Sequence, residues 1–333
     1  MKGVYMGHSD GVGFRRVYPE SVRRKIEQHV SMMPQLVGQD NVHLYEDALR
    51  EAEVIFGTWG IWEITDAEID RYFPRVKAVF YAAGSVQHLK AFIKRGVLVC
   101  SASYANGIPV AQYAASVIGL AAKGFFQTAV LTKKGEYEAA RELMGRQDGF
   151  YRTKIGILGA GMIGTIVIEL LRDTGNELMV FDPFMSEERA NGLGVVKAGL
   201  HDVFAQCSVI SNHLANNDQT QKILDSACFS RMRPDAVFVN TGRGAQVDEE
   251  ALVQALRASP SRAAVLDVTY DEPPKAGHPF YELENVVLTP HIAGSQGNEQ
   301  SRMSELAFEE YLRYAAGEPV RYGVTEKMLE TMA

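Results

Sequence analysis

Apolar and polar positions along the first third of the chain predict strands and helices in alternation. Three stretches have helical spacing, at residues 18–30, 66–73 and 87–95. Strands that alternate with helices are typical of a parallel sheet covered on both faces. The short apolar runs that predict the strands of this sheet lie at residues 3–6, 42–45, 54–56, 78–81 and 97–100.

The pattern continues beyond residue 105. A long helix is predicted to begin at Asn106, with Pro109 in its first turn, where the missing N–H costs nothing. Another is predicted over residues 249–256, capped by Asp248. The last long helix covers residues 296–316 and ends at Gly317. Further short apolar runs predict strands at residues 155–158, 178–181, 209–211, 236–240, 264–266 and 286–288.

A glycine motif follows the first strand of this second set. The strand runs into Gly159-x-Gly161-x-x-Gly164, and Ile163, Val167, Leu170 and Leu171 then recur with the spacing of one helix face. In a dinucleotide fold the first glycine permits the tight turn. The second lets the backbone approach a pyrophosphate, and the third lets helix and strand pack closely. The helix start offers N–H groups to the phosphates.

An acid completes the motif. The next strand ends at Asp182, eighteen positions after Gly164, where a carboxylate can accept the hydroxyls of an adenosine ribose. A lone glycine motif is more often a turn, but a strand, glycines, a helix, a strand and a terminal acid together predict a dinucleotide site. Pro183 and Phe184 follow, so no Arg directly after the acid is available for a 2′-phosphate. NAD is therefore predicted in preference to NADP.

These elements predict an α/β protein of two doubly wound parallel-sheet domains. A Rossmann NAD-binding domain is expected over residues 105–295. It is inserted into a flavodoxin-like substrate (catalytic) domain made of residues 1–104 and 296–333, because the last helix is expected to return to the first sheet. At 333 residues, the chain is long enough for two cores.

Composition narrows the choice of partners. The formal charge of −7 and the absence of a Lys/Arg run argue against a nucleic-acid surface. The three cysteines form no CxxC pair, so neither a disulfide framework nor a metal site is predicted. No apolar run reaches the length of a membrane span, and the first residues do not read as a signal peptide. A cytoplasmic protein that does not bind membranes is expected.

Three candidate catalytic groups follow the later strands. Arg243, Glu272 and His291 each leave a predicted strand at its carboxyl end, the edge at which ligands bind in such sheets. Hydride transfer to a ketone leaves charge on oxygen, which calls for a cation and a proton donor. Each residue alone has a commoner structural explanation, such as a surface Arg or a turn acid. Three such residues together favour catalysis.

The segments around these groups resemble a known family. Residues 240–249 (Asn-Thr-Gly-Arg-Gly-Ala-Gln-Val-Asp-Glu), residues 266–268 with Glu272-Pro273, and residues 289–294 (Thr-Pro-His-Ile-Ala-Gly) are similar to signatures of the D-isomer-specific 2-hydroxyacid dehydrogenases. The resemblance covers essentially the whole chain and is strongest over residues 154–295. It implies an NAD-dependent oxidoreductase that transfers hydride between NAD(H) and C2 of a small 2-oxo or 2-hydroxy acid, such as a glyoxylate-like or hydroxypyruvate-like acid.

The resemblance also implies roles for individual residues. His291 would exchange a proton with the C2 oxygen, Glu272 would pair with its imidazole, and Arg243 would bind the substrate carboxylate and C2 oxygen. Met162 stands where the family usually has an Arg, which removes one expected phosphate contact. Substrate contacts are expected at Trp59, Ala83, Gly84 and Arg243. Cofactor contacts are expected at Gly159, Gly161, Met162, Ile163, Gly164, Asp182, Thr220, Thr241 and Asp267.

Two alternatives remain beside this interpretation. Formate dehydrogenases of the same superfamily have Gln where Glu272 stands, which argues against that activity. A non-catalytic or weakly catalytic NAD(H)-sensing protein on the same fold would also retain the three residues, so they do not exclude it. Members of the family are commonly dimers, and residues 107–150 are the predicted arm of a homodimer joined through the nucleotide domain.

Overall fold

The computed structural model describes residues 1–329, which form two compact units. One unit contains Met1–Gly107 together with the chain from Ser295 onward, and the other contains Ile108–Gly294. Each unit has its own parallel sheet, of five and seven strands respectively. The prediction of two doubly wound α/β sheets is confirmed.

The first sheet has the strand order β2-β1-β3-β4-β5, and all its neighbouring strands are parallel. Buried residues on its two faces form two apolar clusters, so helices cover it on both sides. The last residues of β1, β3, β4 and β5 are paired in register and therefore end at one edge. The five strands are β1 (Lys2–Met6), β2 (Ser31–Val37), β3 (Val54–Gly57), β4 (Ala78–Tyr81) and β5 (Leu98–Ser101).

The predicted strand at residues 42–45 is wrong. Val42–Tyr45 is a 3-10 helix in which Val42 is buried and Leu44 is 65% exposed. The strand is instead β2, whose sequence contains Pro34. Because β2 lies at the edge of its sheet, it tolerates a residue without an N–H, and this Pro masked the strand signal.

Five helices and a second 3-10 helix, Gln87–Leu89, lie between these strands. The predicted helix over residues 18–30 is present with shorter bounds, because Pro19 is the N-cap of a helix that begins at Glu20 and ends at Glu27. The five helices are α1 (Val12–Val17), α2 (Glu20–Glu27), α3 (Glu46–Leu49), α4 (Asp66–Tyr72) and α5 (Lys90–Lys94).

The second unit contains a seven-stranded parallel sheet with the order β12-β11-β10-β9-β6-β7-β8. Two apolar clusters lie on its faces. The order reverses direction beside β6, the strand that precedes the glycine motif, and such a reversal opens a crevice at the carboxyl edge. The strands are β6 (Lys154–Leu158), β7 (Glu177–Phe181), β8 (Val196–Lys197), β9 (Val209–Asn212), β10 (Val237–Asn240), β11 (Ala263–Leu266) and β12 (Val286–Leu288).

Eight further helices begin between Ser103 and Glu249. Three 3-10 helices accompany them, at Arg172–Thr174, Gly244–Gln246 and Pro279–Tyr281. The helices are α6 (Ser103–Ala122), α7 (Phe125–Lys133), α8 (Tyr137–Gly145), α9 (Met162–Leu171), α10 (Glu187–Leu193), α11 (Leu200–Gln206), α12 (Ser226–Phe229) and α13 (Glu249–Ala258).

Two helical predictions need correction. Helix α6 begins at Ser103, three residues earlier than predicted, so Pro109 lies in its interior and not in its first turn. The Ser101 hydroxyl accepts the Ser103 N–H and supports this earlier start. On α9 the buried face contains Gly164, Val167, Ile168 and Leu171. Leu170, which the spacing placed on that face, is 45% exposed.

The C-terminal segment packs in the first unit. Helix α14 (Gln300–Ala315) follows the 3-10 helix Gly297–Glu299 and buries Met303, Ala307 and Tyr311 in one of that unit's clusters. Beyond it, Gly323 bridges to Cys100 of β5, and the Val324 N–H donates to Val99. The short helix α15 (Glu326–Leu329) completes the described chain. The apolar residue Met332, by its sequence a candidate for packing on a neighbouring element, lies outside the described residues.

No single helix within residues 1–329 has both the length and the apolar character that a membrane span requires. Helices α6 and α7 satisfy that measure only when they are taken together, by length and composition, and they are bent by 62° at the break between them.

Candidate active site

The glycine loop joins β6 to α9, and two of its glycines have a clear physical reason. Gly159 has a φ of +85°, in the left-handed region that side chains disfavour. A Cβ on Gly164 would lie 2.0 Å from the Gly159 carbonyl oxygen, so only glycine permits this close approach of helix and turn. A Cβ on Gly161, by contrast, would have no heavy atom within 4 Å. The loop therefore leaves open space at the start of the helix.

This space fits a dinucleotide. The first turn of α9 contains Met162 and Ile163, whose N–H groups have no partner within a helix, as at any helix start. Met162 is 39% exposed and adds no charge. Among residues 1–329, Thr241 Oγ1 and Asn216 Oδ1 are buried without a hydrogen-bond partner. Unpaired buried polar atoms are costly, so a polar ligand that reached them would remove that cost.

Two predicted cofactor residues are also engaged within the protein. Asp182 follows β7, and its two carboxylate oxygens accept the N–H groups of Ala160 and Phe184, each at 2.8 Å. These bonds fix the carboxylate beside the glycine loop and leave lone pairs for ribose hydroxyls. The Thr220 hydroxyl instead forms hydrogen bonds within its own loop. It donates to the Ala215 carbonyl at 2.7 Å and accepts the Asn217 N–H at 3.0 Å.

The predicted catalytic groups follow three neighbouring strands. Asn240, Leu266 and Leu288 are paired in register across β10, β11 and β12, so these strands end at one edge. Arg243 follows the first of these strand ends, and His291 follows the last.

His291 and Glu272 form the clearest pair of the site. The imidazole Nδ1 lies 2.8 Å from the Glu272 Oε2. An ionised carboxylate only accepts, so Nδ1 carries the hydrogen of this bond and Nε2 remains for a substrate. The side chains of His291 and Glu272 are 47% and 39% exposed, respectively, so a small molecule can reach them.

Asp267 holds the loop that carries His291. Its carboxylate is buried and accepts the Thr289 hydroxyl at 2.6 Å and the N–H groups of Ile292 and Ala293 at 2.8 Å each. Its carbonyl accepts the His291 N–H at 3.0 Å. His291 has a φ of +55°, an uncommon conformation for a residue with a side chain. Asp267, one of the predicted cofactor contacts, is therefore a positioning residue for His291.

We expect Asp267→Asn to lower both stability and turnover. The amide NH₂ would face an N–H or hydroxyl donor, which leaves a buried donor unpaired at a cost of about 2 kcal/mol in the free energy of unfolding. His291 would lose its fixed orientation, so kcat should fall by about tenfold to a hundredfold. Urea titration and steady-state kinetics measure the two effects. Exposed Asp173→Asn is the matched control, and an unchanged kcat in Asp267→Asn would contradict the positioning of His291.

Arg243 is positioned by a network of buried amides that the sequence reasoning missed. Its N–H donates to Gln246 Oε1 at 3.2 Å, and its carbonyl accepts from Asn240 Nδ2 at 3.3 Å. Asn212 Nδ2 donates to Asn240 Oδ1 at 3.0 Å and to Gln246 Oε1 at 2.6 Å. The signal for this network was present in the sequence, because Asn212 and Asn240 are polar residues that end apolar strands.

The same network reaches the loop after β9. Gln246 Nε2 donates to the Leu214 and Ala215 carbonyls at 2.7 Å and 2.9 Å. These bonds tie the loop that carries Arg243 (residues 241–246, the arginine loop) to the loop after β9. A Cβ on Gly244 would lie 1.9 Å from the Thr269 carbonyl carbon, which shows how closely the arginine loop packs on the segment leading to Glu272. Within residues 1–329, the Arg243 guanidinium forms no ion pair, and Nη1 donates to the Gly242 carbonyl at 2.8 Å.

The predicted substrate loops belong to the first unit. Trp59 is 40% exposed, so it is not a core tryptophan. The Ala83 side chain is buried, and the Ala83 and Gly84 carbonyls both accept the Ser101 hydroxyl, at 3.1 Å and 2.6 Å. These bonds fix the peptide groups of the loop after β4. The substrate contacts of Trp59, Ala83 and Gly84 remain predictions.

His213 lies behind the glycine loop. Its carbonyl oxygen would be 2.8 Å from a Cβ on Gly159, and its Nε2 lies 2.9 Å from the Ser211 hydroxyl. Burial lowers the pKa of the His213 imidazole to about 4. The ring is therefore neutral in the folded protein at neutral pH.

This pKa predicts a loss of stability in acid. The unfolded chain takes up a proton on His213 below its ordinary pKa of about 6.5, whereas the folded chain does so only near pH 4. The free energy of unfolding therefore falls as pH falls from 7 to 4. Because part of the residue remains accessible, we expect this group to contribute about 2 kcal/mol of the fall, below the full linkage value. In urea titrations, the free energy of unfolding of His213→Gln should fall by about 2 kcal/mol less than that of wild type between pH 7 and pH 4. An equal fall in the two proteins would contradict the role of His213.

Residues 116–293, more than half of the chain, match the family described as D-isomer specific 2-hydroxyacid dehydrogenase, NAD binding domain. The chain therefore belongs to the D-isomer specific 2-hydroxyacid dehydrogenases and contains their NAD binding domain. The family predicted from residues 240–294 is confirmed.

Individual relatives agree with this family. A D-3-phosphoglycerate dehydrogenase of Archaeoglobus fulgidus is 31% identical over 271 residues, which are 80% of this chain and 50% of that protein. This chain thus spans about half the length of that relative. A glyoxylate reductase of Korarchaeum cryptofilum is 30% identical over 257 residues, covering 76% of this chain and 77% of that protein.

A solved structure has the same fold. The D-isomer specific 2-hydroxyacid dehydrogenase of Lactobacillus delbrueckii ssp. bulgaricus, in its NAD-complexed form, aligns with a TM-score of 0.78 at 16% identity. The alignment covers 97% of this chain and 100% of that chain.

Proposed function

We propose that this protein is an NAD-dependent dehydrogenase that transfers hydride between NAD(H) and C2 of a small 2-oxo or 2-hydroxy acid. The observation that carries the proposal is the His291–Glu272 pair, 2.8 Å apart, in the same unit as Arg243 and the glycine loop. NAD is the cofactor that the family's domain description names. The open space at Gly161 and the unpaired Thr241 hydroxyl are compatible with a bound dinucleotide.

The proposed chemistry divides the work between three side chains. Bound NADH would supply the hydride to C2. His291 Nε2 donates the proton that the C2 oxygen needs, and Glu272 keeps the ring oriented by accepting from Nδ1. Arg243 offers several N–H donors to the substrate carboxylate and C2 oxygen, which balances the charge that develops there. In the oxidative direction, neutral His291 accepts the proton from the C2 hydroxyl.

The substrate is proposed to be a small 2-oxo acid such as a glyoxylate-like or hydroxypyruvate-like acid. The relatives that support this class are named for a glyoxylate and for a phosphorylated 2-hydroxy acid. Backbone N–H groups at Ala83 and Gly84 are proposed to bind the carboxylate. The Thr58 hydroxyl holds the Ala82–Ala83 peptide at its carbonyl, and the Ser101 hydroxyl holds the Ala83–Gly84 peptide in the same way. Trp59 is proposed to contact the substrate side chain.

A panel assay tests the proposal. NADH oxidation would be followed at its absorbance maximum with glyoxylate, hydroxypyruvate, pyruvate, a phosphorylated 2-oxo acid and an aromatic 2-oxo acid. We expect turnover on at least one acid. For every acid of the panel except glyoxylate, whose product has no stereocentre at C2, the expected product is the D-2-hydroxy acid. Tight NADH binding without turnover on any acid would contradict the enzyme and support the NAD(H)-sensing alternative.

We also propose that two copies of the chain associate through their nucleotide domains. Large apolar side chains on α6, α7 and α8 are exposed to an unusual degree: Leu120 by 43%, Phe125 by 48%, Tyr137 by 57% and Met144 by 53%. Apolar surface of this kind is typical of a protein contact, and these residues lie within the predicted arm.

Light scattering of the purified protein checks this association. Wild type should have twice the mass of one chain, and Phe125→Glu with Met144→Glu should reduce it to a single chain. Leu170→Glu, at an exposed apolar residue on α9, is the matched control and should remain dimeric. A monomeric wild type would contradict the dimer.

A further inference from the structure

One residue of the glycine loop lies between two charged side chains. The Ala160 N–H donates to Asp182 Oδ2 at 2.8 Å, and the Ala160 carbonyl accepts Arg189 Nη2 at 2.6 Å. Arg189 Nη2 also donates to the Thr165 hydroxyl at 3.1 Å. The Arg189 guanidinium and the Asp182 carboxylate thus bind the same residue, Ala160. The motif assigns that carboxylate to the adenosine ribose.

The sequence alone did not reveal this arrangement. The prediction of NAD rested on the absence of an Arg directly after Asp182, whereas Arg189 lies seven positions further along, in the first turn of α10. The chain turns back between them, because the Met185 N–H donates to the Asp182 carbonyl at 3.2 Å. The Arg189 N–H donates to the Ser186 hydroxyl at 3.1 Å, which fixes the backbone from which the guanidinium extends.

The positive charge of Arg189 is not balanced by an ion pair among the described residues. Within residues 1–329, no carboxylate lies at ion-pair distance from its guanidinium, which donates to the Ala160 carbonyl and the Thr165 hydroxyl through Nη2. The Nε and Nη1 donors are therefore available to an anion. Phosphate is the anion that best matches the planar fork of a guanidinium.

We propose that Asp182 and Arg189 together determine which dinucleotide binds. Asp182 accepts the ribose hydroxyls of NAD and repels a 2′-phosphate. Arg189 is a preformed phosphate receptor beside the same ribose, with little effect while Asp182 is present. Removal of the carboxylate alone is then sufficient to admit NADPH. This inference rests on the proposed function only for the binding of a dinucleotide, not for turnover.

The test compares three variants by nucleotide fluorescence titration, without any substrate. We expect Asp182→Ser to bind NADPH at least about tenfold more tightly than wild type, the value of one charge-assisted hydrogen bond. Asp182→Ser with Arg189→Gln should lose that gain. Arg189→Gln alone should bind NADH within about threefold of wild type. Asp182→Asn, which keeps the side-chain shape, repeats the first comparison if the Ser variant folds poorly.

The matched control is Asp182→Ser with Arg172→Gln, an exposed Arg beyond the other end of α9, which should keep the gain for NADPH. Raising the salt concentration should weaken NADPH binding by Asp182→Ser more steeply than its NADH binding. If the double variant with Arg189→Gln retained the gain, or if Asp182→Ser showed none, the inference would be overturned. If wild type bound neither NADH nor NADPH, the proposed cofactor would be overturned as well. Binding by wild type therefore distinguishes a failure of this inference from a failure of the proposed function.

Discussion

We expect His291→Asn to lower kcat for the reduction of a 2-oxo acid by about a thousandfold, within the range known for the loss of a general acid. His291 Nε2 is the proposed proton donor to the C2 oxygen, and an amide cannot take its place. Asn is the variant of choice because it adopts the left-handed backbone that His291 requires. The fold should therefore be retained.

The measurement is single-turnover oxidation of NADH together with the Kd of NADH. Only the rate should change, since Asn at residue 291 leaves the glycine loop intact. The matched control is His201→Asn, an exposed histidine on α11 of the same unit, for which wild-type rates are expected. A His291→Asn enzyme with near-normal kcat would remove His291 from the chemistry.

The second large effect is expected for Arg243→Ala. A cation that binds both the carboxylate and the developing C2 oxyanion contributes several kcal/mol, so kcat/KM should fall by about a thousandfold, roughly 4 kcal/mol of transition-state stabilisation. Both KM and kcat should change, because the same guanidinium would contact the ground state and the transition state. Arg243→Lys should recover only part of the loss, since an ammonium lacks the fork of donors.

Steady-state kinetics with the best acid of the panel measures this loss. Exposed Arg257→Ala on α13 is the matched control and should leave kcat/KM unchanged. Guanidinium ion added to Arg243→Ala should restore part of the rate, because it replaces the missing cation at the substrate. No such rescue is expected if Arg243 has only a structural role. If Arg243→Ala kept wild-type kcat/KM, the substrate carboxylate would have to be bound elsewhere.

Periodicity predicted much of the fold. Strands such as β6 and β10 are buried along almost their whole length, and a short continuous apolar run bounded by turn residues indicates such strands. The edge strand β2 was missed because one side of it is solvent-exposed and it contains Pro34. The apolar face of α9 was misplaced by one position because Leu170 is apolar yet exposed.

The candidate site was predictable where a motif fixes the residue type. Glu272 and His291 were named from their segments, and the structure brings them into contact. What the sequence could not reveal were contacts between distant loops. Arg189 reaches Ala160 only because the chain turns after Asp182. The Asp267 carboxylate accepts main-chain N–H groups of the loop that carries His291. Such bonds depend on main-chain geometry, which the residue types do not reveal.

Deuteride transfer tests the central claim most directly. NADH labelled with deuterium at C4, on each face in turn, would be incubated with the enzyme and the best 2-oxo acid, and the product examined by mass spectrometry and chiral chromatography. We predict that one of the two labelled forms yields the D-2-hydroxy acid with deuterium at C2. If neither form transferred deuterium while NADH still bound, hydride transfer to C2 would be contradicted.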